Sequence, residues 1–255
     1  MTDHGPAIET NDLTKRYGDT TAVESLDITV PRGTVYGFLG PNGAGKTTTM
    51  RLLTTLTKPT GGTATIMGTP IAERDRVRPN IGYLPEEPPV FDELTGREQL
   101  MYMARLRDMK TDVAERRIDE WFDRFRLTDI DGKRIEDFSK GMRQKIGVIQ
   151  ALLHEPAVVF LDEPTSGLDP RAARTVIDAI HGIADAGHTV FLSTHILPVV
   201  EELADTVGVL DRGRLVTDGP PAALTAAVER GTDSSLEDVF LAVTTDNGRR
   251  AADDG

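Results

Sequence analysis

The 255-residue sequence predicts an α/β fold on a mainly parallel sheet, and three observations carry that expectation. Strand-like and helix-like stretches alternate through most of the chain. Residues 34–39 and 158–161 are short apolar runs of the kind that buried strands use. Between residues 95 and about 151 the pattern becomes mostly helical, which marks a helical subdomain inside the alternation.

Taken in order, residues 8–39 read as short strands parted by turns at Tyr17-Gly18-Asp19 and Pro31-Arg32-Gly33. A helix is expected from about Lys46. Residues 61–68 read as a turn and a short strand, and residues 81–84 as a strand that Pro85 ends. In Leu94-Thr95-Gly96-Arg97-Glu98, Thr95 is placed to N-cap a helix with Glu98 closing a capping box. Trp121, Phe122 and Phe125 then fall at helical spacing and read as core packing. Strands follow at 157–161, 189–193 and 207–210, with helices near 171–186 and 196–203. The tail after Asp246 is polar and expected to fray. His4, His154, His181 and His188 read as structural histidines.

Composition narrows the function. With glycine counted in place of tyrosine, the apolar share falls in the ~45–50% range of ordinary globular chains. The absence of cysteine excludes disulfide scaffolds, zinc fingers, iron–sulfur clusters and thiol catalysis. No apolar run approaches the roughly 20 residues of a membrane helix. The first residues carry neither a basic nor an apolar export signal, so a cytoplasmic location is expected, and no covalent membrane anchor is expected either. A net charge of -12 argues against coating nucleic acid. That charge is unevenly spread: residues 1–145 hold 22 basic and 23 acidic side chains, against 7 and 18 in residues 146–255. A near-neutral half able to receive a polyanion is thus joined to an acidic one.

The chemistry-bearing residues begin at Gly40-Pro41-Asn42-Gly43-Ala44-Gly45-Lys46-Thr47, followed by Thr48. This matches G-x-x-x-x-G-K-[ST] between a buried strand and a helix start, where backbone amides and a helix N-terminus can face phosphates. The glycines at 40, 43 and 45 let the backbone wrap closely round an anion. Lys46 is placed to reach the β- and γ-phosphates, and Thr47 to offer a hydroxyl to Mg²⁺. The strand at 158–161 ends in Asp162-Glu163, at the carboxyl edge where α/β sheets bind ligands. Asp162 is expected to hold Mg²⁺ through water, and Glu163 to orient a water for in-line attack.

Three further segments resemble the ABC ATPases. Phe138-Ser139-Lys140-Gly141-Met142-Arg143-Gln144 resembles their signature motif and lies about twenty residues before Asp162. Ser166-Gly167-Leu168-Asp169, after Glu163-Pro164-Thr165, resembles their D-loop, and Leu192-Ser193-Thr194-His195 their switch histidine. Order and spacing agree over residues 8 to about 217, so the chain is identified as similar to an ABC transporter nucleotide-binding subunit.

The resemblance implies a P-loop NTPase core of ABC type, with an N-terminal antiparallel β subdomain and a helical subdomain inserted at about 88–152. The nucleotide-binding domain would span 1–245, with an accessory segment at about 218–245 and a disordered tail at 246–255. It also implies a head-to-tail homodimer that buries two ATP molecules. Each would be held by one chain's P-loop and by Ser139 and Gly141 of the other, and Asp169, in the D-loop, would belong to the catalytic set. His195 would contact the γ-phosphate, and Tyr17 would stack on adenine. The partner would be a separate membrane permease, reached on the cytoplasmic face through a coupling surface from Glu86 to about Arg105.

Two departures stand out. Glu86 occupies the family's Q-loop glutamine position, where a carboxylate can take a Mg²⁺ position but, while ionised, cannot donate a hydrogen bond. Residue 140 is lysine where glycine is common, and Met142 stands where glutamine is frequent. These, the run Tyr83-Leu84-Pro85-Glu86-Glu87-Pro88-Pro89 and the segment Ser235-Leu236-Glu237-Asp238-Val239-Phe240-Leu241 resemble multidrug, antibiotic-resistance and sodium exporters. The alternative is a non-transport ABC ATPase of nucleic-acid repair or translation. Such relatives carry a coiled coil or zinc-binding cysteines between the P-loop and the Asp-Glu strand, or two fused heads; here the interval is about 110 residues with neither, and there is one P-loop. A simple P-loop kinase or GTPase leaves residues 139–144 and His195 unexplained.

Overall fold

The computed structural model describes residues 5–227 together with Glu237 and Phe240. His4, the tail from 246 and most of the segment 228–245 lie outside the described residues, including the late exporter-like segment apart from those two. From the N-terminus, β1 (Ile8–Tyr17) and β2 (Thr20–Leu26) form a hairpin, followed by β3 (Thr29–Val30), β4 (Val35–Leu39) and α1 (Lys46–Leu53). Next come β5 (Gly61–Ile66), β6 (Thr69–Pro70), the short α2 (Arg74–Val77) and β7 (Ile81–Leu84). Three helices then succeed one another: α3 (Gly96–Leu106), α4 (Thr111–Arg124) and α5 (Lys140–Leu152). The chain continues through β8 (Val158–Asp162), α6 (Pro170–Asp185), β9 (Thr189–Thr194), α7 (Leu197–Leu203), β10 (Thr206–Asp211), β11 (Arg214–Gly219) and α8 (Pro221–Ala227).

These elements build two sheets. The smaller is antiparallel, in the order β2-β1-β5-β6 with β3 beside β1. The larger runs β11-β10-β4-β9-β8-β7 and is parallel except for the edge strand β11. Strands covered on both faces need apolar side chains in both directions, and β4, β8 and β9 are buried throughout. One face presents Tyr36, Phe38, Phe160 and Phe191 to α1 and the antiparallel sheet. Phe191 lies centrally, with ring centroids 5.2 Å from Tyr36, 5.2 Å from Phe38 and 5.7 Å from Phe160. The opposite face presents Val35, Val159, Leu161, Val190 and Leu192 to the cluster of α5, α6 and α7. Because α1 leaves β4 on one face while α6 and α7 cover the other, β4 is where the chain changes side, and such a point opens a crevice at the carboxyl edge.

The helical stretch is as its pattern predicts. Glu98 N–H donates to Thr95 Oγ1 at 3.2 Å and Thr95 N–H to Glu98 Oε2 at 2.8 Å, the reciprocal bonds of the capping box. Phe122 and Phe125 are buried and Trp121 is partly buried, packed with Leu100, Ile118, Ile146 and Ile149. Three strand boundaries shift by a residue: β8 starts at Val158 and takes in Asp162, β9 takes in Thr194, and β10 takes in Thr206 and Asp211. Tyr17 is the last residue of a strand and not part of a turn. The sequence reading passed over β6, α2, β11 and α8, which are short or exposed pieces without a strong apolar period.

The structural histidines have structural partners. His154 Nε2 donates to the Ile81 carbonyl at 2.9 Å, and burial, then the nearby Arg107 charge, push its pKa down to about 4, so the ring is neutral. His188 Nδ1 lies 2.6 Å from the Pro156 carbonyl, and His181 lies 3.8 Å from Glu202. The central aromatic layer should dominate stability. Truncating Phe191→Ala is expected to cost about 3–5 kcal/mol, read as a lowered midpoint of urea unfolding; a change below about 1 kcal/mol would mean that the layer collapses around the gap.

Candidate active site

Residues 40–45 turn from the end of β4 into α1. Gly45 has φ 110°, and a Cβ built on it would lie 2.4 Å from the Ala22 carbonyl oxygen; one on Gly40 would lie 2.5 Å from that of Leu210. Glycine is therefore required at both, because the loop is pressed between β2 and the end of β10. Pro41 C=O accepts from Ala44 N–H at 3.1 Å, while Asn42 and Gly43 are exposed. Gly45 C=O takes the first helical bond, from Thr49 N–H at 2.9 Å, so the amides of Lys46, Thr47 and Thr48 have no helical acceptor behind them. They form the positive end of α1. Lys46 is buried, and its ammonium donates to the carbonyls of Gly40 at 2.8 Å and Pro41 at 3.3 Å.

The carboxylates arrive from the neighbouring strands. In the register of the sheet Leu39 pairs with Thr194 and Asp162 with Ser193, which aligns the ends of β4, β9 and β8. Ser193 Oγ donates to Asp162 Oδ1. Asp162 Oδ2 is buried and has no hydrogen-bond partner. Strand alternation would carry the next side chain away, but Glu163 has φ 49°, a left-handed conformation that costs a non-glycine residue about 1–2 kcal/mol. Its carboxylate turns instead to β9, where Oε2 accepts from Thr194 Oγ1 at 3.2 Å and Oε1 lies 2.9 Å from His195 Nδ1. The same Oε1 is 3.5 Å from Lys46 Nζ, so cation, carboxylate and imidazole meet at one point.

The family profile described as ABC transporter matches residues 23–166. The daunorubicin/doxorubicin resistance ATP-binding protein DrrA of Streptomyces peucetius is 42% identical over 223 residues, covering 87% of this chain and 68% of that protein. The chain belongs to the ABC transporter family. The bacitracin transport ATP-binding protein BcrA of Bacillus licheniformis is 41% identical over 215 residues, covering 84% of this chain and 69% of the relative. A solved ATP-binding subunit of an ABC transporter superposes with a TM-score of 0.85 at 31% identity, covering 93% of this chain and 99% of that one. The fold is accordingly that of an ABC ATPase, and the chain is an ATP-binding subunit of this family.

Within this ABC ATPase the remaining residues singled out by the sequence fall into two groups. Ser139 N-caps α5, its Oγ accepting from Met142 N–H at 3.3 Å. Asp169 N-caps α6, its Oδ1 accepting from the amides of Arg171 and Ala172 at 3.0 Å each. The two caps are neighbours: a Cβ on Gly141 would stand 3.0 Å from that of Ala172, and one on Gly167 would stand 2.3 Å from Lys140 Nζ. The other group is Tyr17 and Glu86, and neither group makes a hydrogen bond or ion pair with Lys46, Glu163 or His195. Tyr17 is 48% exposed with the Lys15 ammonium 4.8 Å from its ring centroid, and Glu86 stands exposed on the loop after β7 with no hydrogen bond or ion pair. Among the described residues no group of three or more His, Asp or Glu side chains is placed to hold a metal, so a cation here would need oxygen from other sources besides Asp162.

Ser193, Thr194 and Tyr83 stand inside runs that the sequence singles out, but the sequence assigns none of them a role of its own. The two hydroxyls matter because β9 lies between β4 and β8, an order that strand spacing does not reveal. Tyr83, on β7, has its pKa pushed up to about 12 by burial first and by the Asp162 charge second, so it remains a neutral phenol beside that carboxylate.

Proposed function

We propose that the chain is the ATP-hydrolysing motor of an exporter, working as a head-to-tail homodimer against a separate membrane permease. The meeting of Lys46, Glu163 and His195 beside the unpartnered Asp162 oxygen carries this reading. The amides at the start of α1 and the Lys46 ammonium bind the phosphates, and the Lys46 charge is already balanced by Glu163, so an arriving polyanion competes for it. Glu163, freed from that pairing, accepts the proton of the attacking water. With Nδ1 engaged to Glu163, His195 keeps Nε2 as its remaining polar atom for the γ-phosphate.

Asp162 Oδ2 is an orphaned buried oxygen of the hard type that Mg²⁺ prefers, and Thr47 adds a hydroxyl close by in sequence to the phosphate amides. The residues present therefore fit the cation, which when bound would neutralise phosphate charge. Ser139 and Gly141, with the amides at the start of α5, would reach the ATP of the second subunit, Asp169 would lie between the two sites, and Tyr17 would stack on adenine. Glu86 to about Arg105 would form the surface towards the permease, where Phe91 and Tyr102 are exposed and pack edge to face at 5.6 Å. Among the described residues no helix is long and apolar enough to cross a membrane; in this reading the permease is a separate chain and this one is peripheral to it on the cytoplasmic face. The names of the two relatives, a drug-resistance protein and a bacitracin transport protein, support outward transport.

Three substitutions test these roles. Glu163→Gln should retain ATP binding, hold the dimer together on size exclusion with ATP, and lower turnover by about 10²-fold or more; unchanged turnover removes Glu163 as the base. Ser139→Ala should impair hydrolysis while the monomer's affinity for ATP stays the same, and an equal fall in both would place Ser139 in its own chain's site. Asp162→Asn should raise the Mg²⁺ concentration for half-maximal activity by about 10–100-fold, as the loss of an outer ligand does.

A further inference from the structure

The phosphate loop is held by more than its own turn. The β10–β11 turn at Arg212-Gly213 sits against it: Gly213 N–H donates to the Ala44 carbonyl at 2.8 Å. The Gly213 carbonyl in turn accepts from Glu24 N–H of β2 at 2.8 Å. Gly213 has φ 82°, and a Cβ there would stand 3.0 Å from the Ala22 carbonyl oxygen, the same group that presses on Gly45. One residue on, the Arg214 guanidinium grips the Glu24 carboxylate with both oxygens, Nε to Oε2 at 3.0 Å and Nη2 to Oε1 at 2.7 Å. Beta-strand β2 is also the return strand of the hairpin that ends in Tyr17, which pairs with Thr20. A continuous path of hydrogen bonds therefore runs from the hairpin bearing Tyr17, through Glu24 and Gly213, to the phosphate loop.

We infer that the Arg214–Glu24 pair is a strut that fixes the distance between the Tyr17 hairpin and the phosphate loop, and so positions the site for a ligand that spans both. This rests on the reading of Tyr17 as the adenine platform. Nothing in the ATP-site motifs assigns a role to either residue. Both side chains are largely exposed, 67% for Arg214 and 42% for Glu24, so the pair contributes little to global stability. Its bidentate geometry instead restricts orientation, which a single point charge would not do. A misplacement of about 1 Å far from the reacting atoms is enough to weaken a positioned site. A lysine at 214 would supply charge without the fork.

The test uses the full chain and measures ATP against inorganic tripolyphosphate, which occupies the phosphate loop but cannot reach Tyr17. Arg214→Ala is expected to raise the Kd and KM for ATP by about 5-fold, with kcat within about twofold and tripolyphosphate affinity within about twofold. In a Tyr17→Ala background the same substitution should add less than about twofold, because the two act on one contact. Arg214→Lys should restore little, while the exchanged pair Glu24→Arg with Arg214→Glu should recover most of the ATP affinity. Equal losses for ATP and tripolyphosphate, full additivity with Tyr17→Ala, or a fall in thermal midpoint that tracks the loss of affinity would each overturn the strut. If the unaltered chain binds tripolyphosphate and ATP equally well, and Tyr17→Ala changes neither, the adenine reading itself fails; if Tyr17→Ala weakens ATP alone and Arg214→Ala does not, only the strut does.

Discussion

The backbone register of β9 between β4 and β8 is the constraint on which the site depends. It sets Thr194 beside Leu39 and Ser193 beside Asp162, and so brings three segments that are far apart in the chain to one edge of the sheet. A slip of one residue would turn every side chain of β9 to the other face, removing Phe191 from the aromatic layer and Ser193 from Asp162 together. Core packing and site geometry are thus enforced by the same hydrogen bonds. The aromatic layer makes such a slip costly, because Phe191 touches the rings of Tyr36, Phe38 and Phe160 in one register only.

That rigidity lets the site hold charges that burial would otherwise penalise. Lys46, Asp162 and Glu163 are each nearly inaccessible, and a buried ion is tolerated when it is paired and hydrogen-bonded. Lys46 has two carbonyls and Glu163; Glu163 has Thr194, His195 and Lys46; Asp162 has Ser193 on one oxygen only. The second Asp162 oxygen is buried without a partner, so this carboxylate is only half satisfied within the chain. The left-handed backbone at Glu163 is a further local cost carried at this edge, in the way strained residues gather at functional sites.

Much of this was legible in the chain. The phosphate loop was readable because its glycines are demanded by backbone geometry and its lysine by charge, and both demands are local. The capping box at Thr95 and the buried strands were readable for the same reason, since capping and apolar runs act over a few residues. Ser193 and Thr194 had no role of their own there, because a hydroxyl on a strand has no meaning until its neighbouring strand is known. Gly213 and Arg214 were likewise ordinary hairpin residues until the turn was found resting on Ala44 and Glu24.

By itself the sequence determined the fold class, the glycine-rich turn between β4 and α1, the carboxylates that end β8 and the order of motifs that resembles the ABC ATPases. These follow from periodicity, turn chemistry and short-range spacing. Only the tertiary structure decided that Glu163 turns back towards β9, that His195 and Lys46 share one of its oxygens, and that the β10–β11 turn and β2 clamp the phosphate loop from outside. Those outcomes depend on strand order and register, which arise from long-range pairing between segments whose separation along the chain carries no record of which neighbour each will choose.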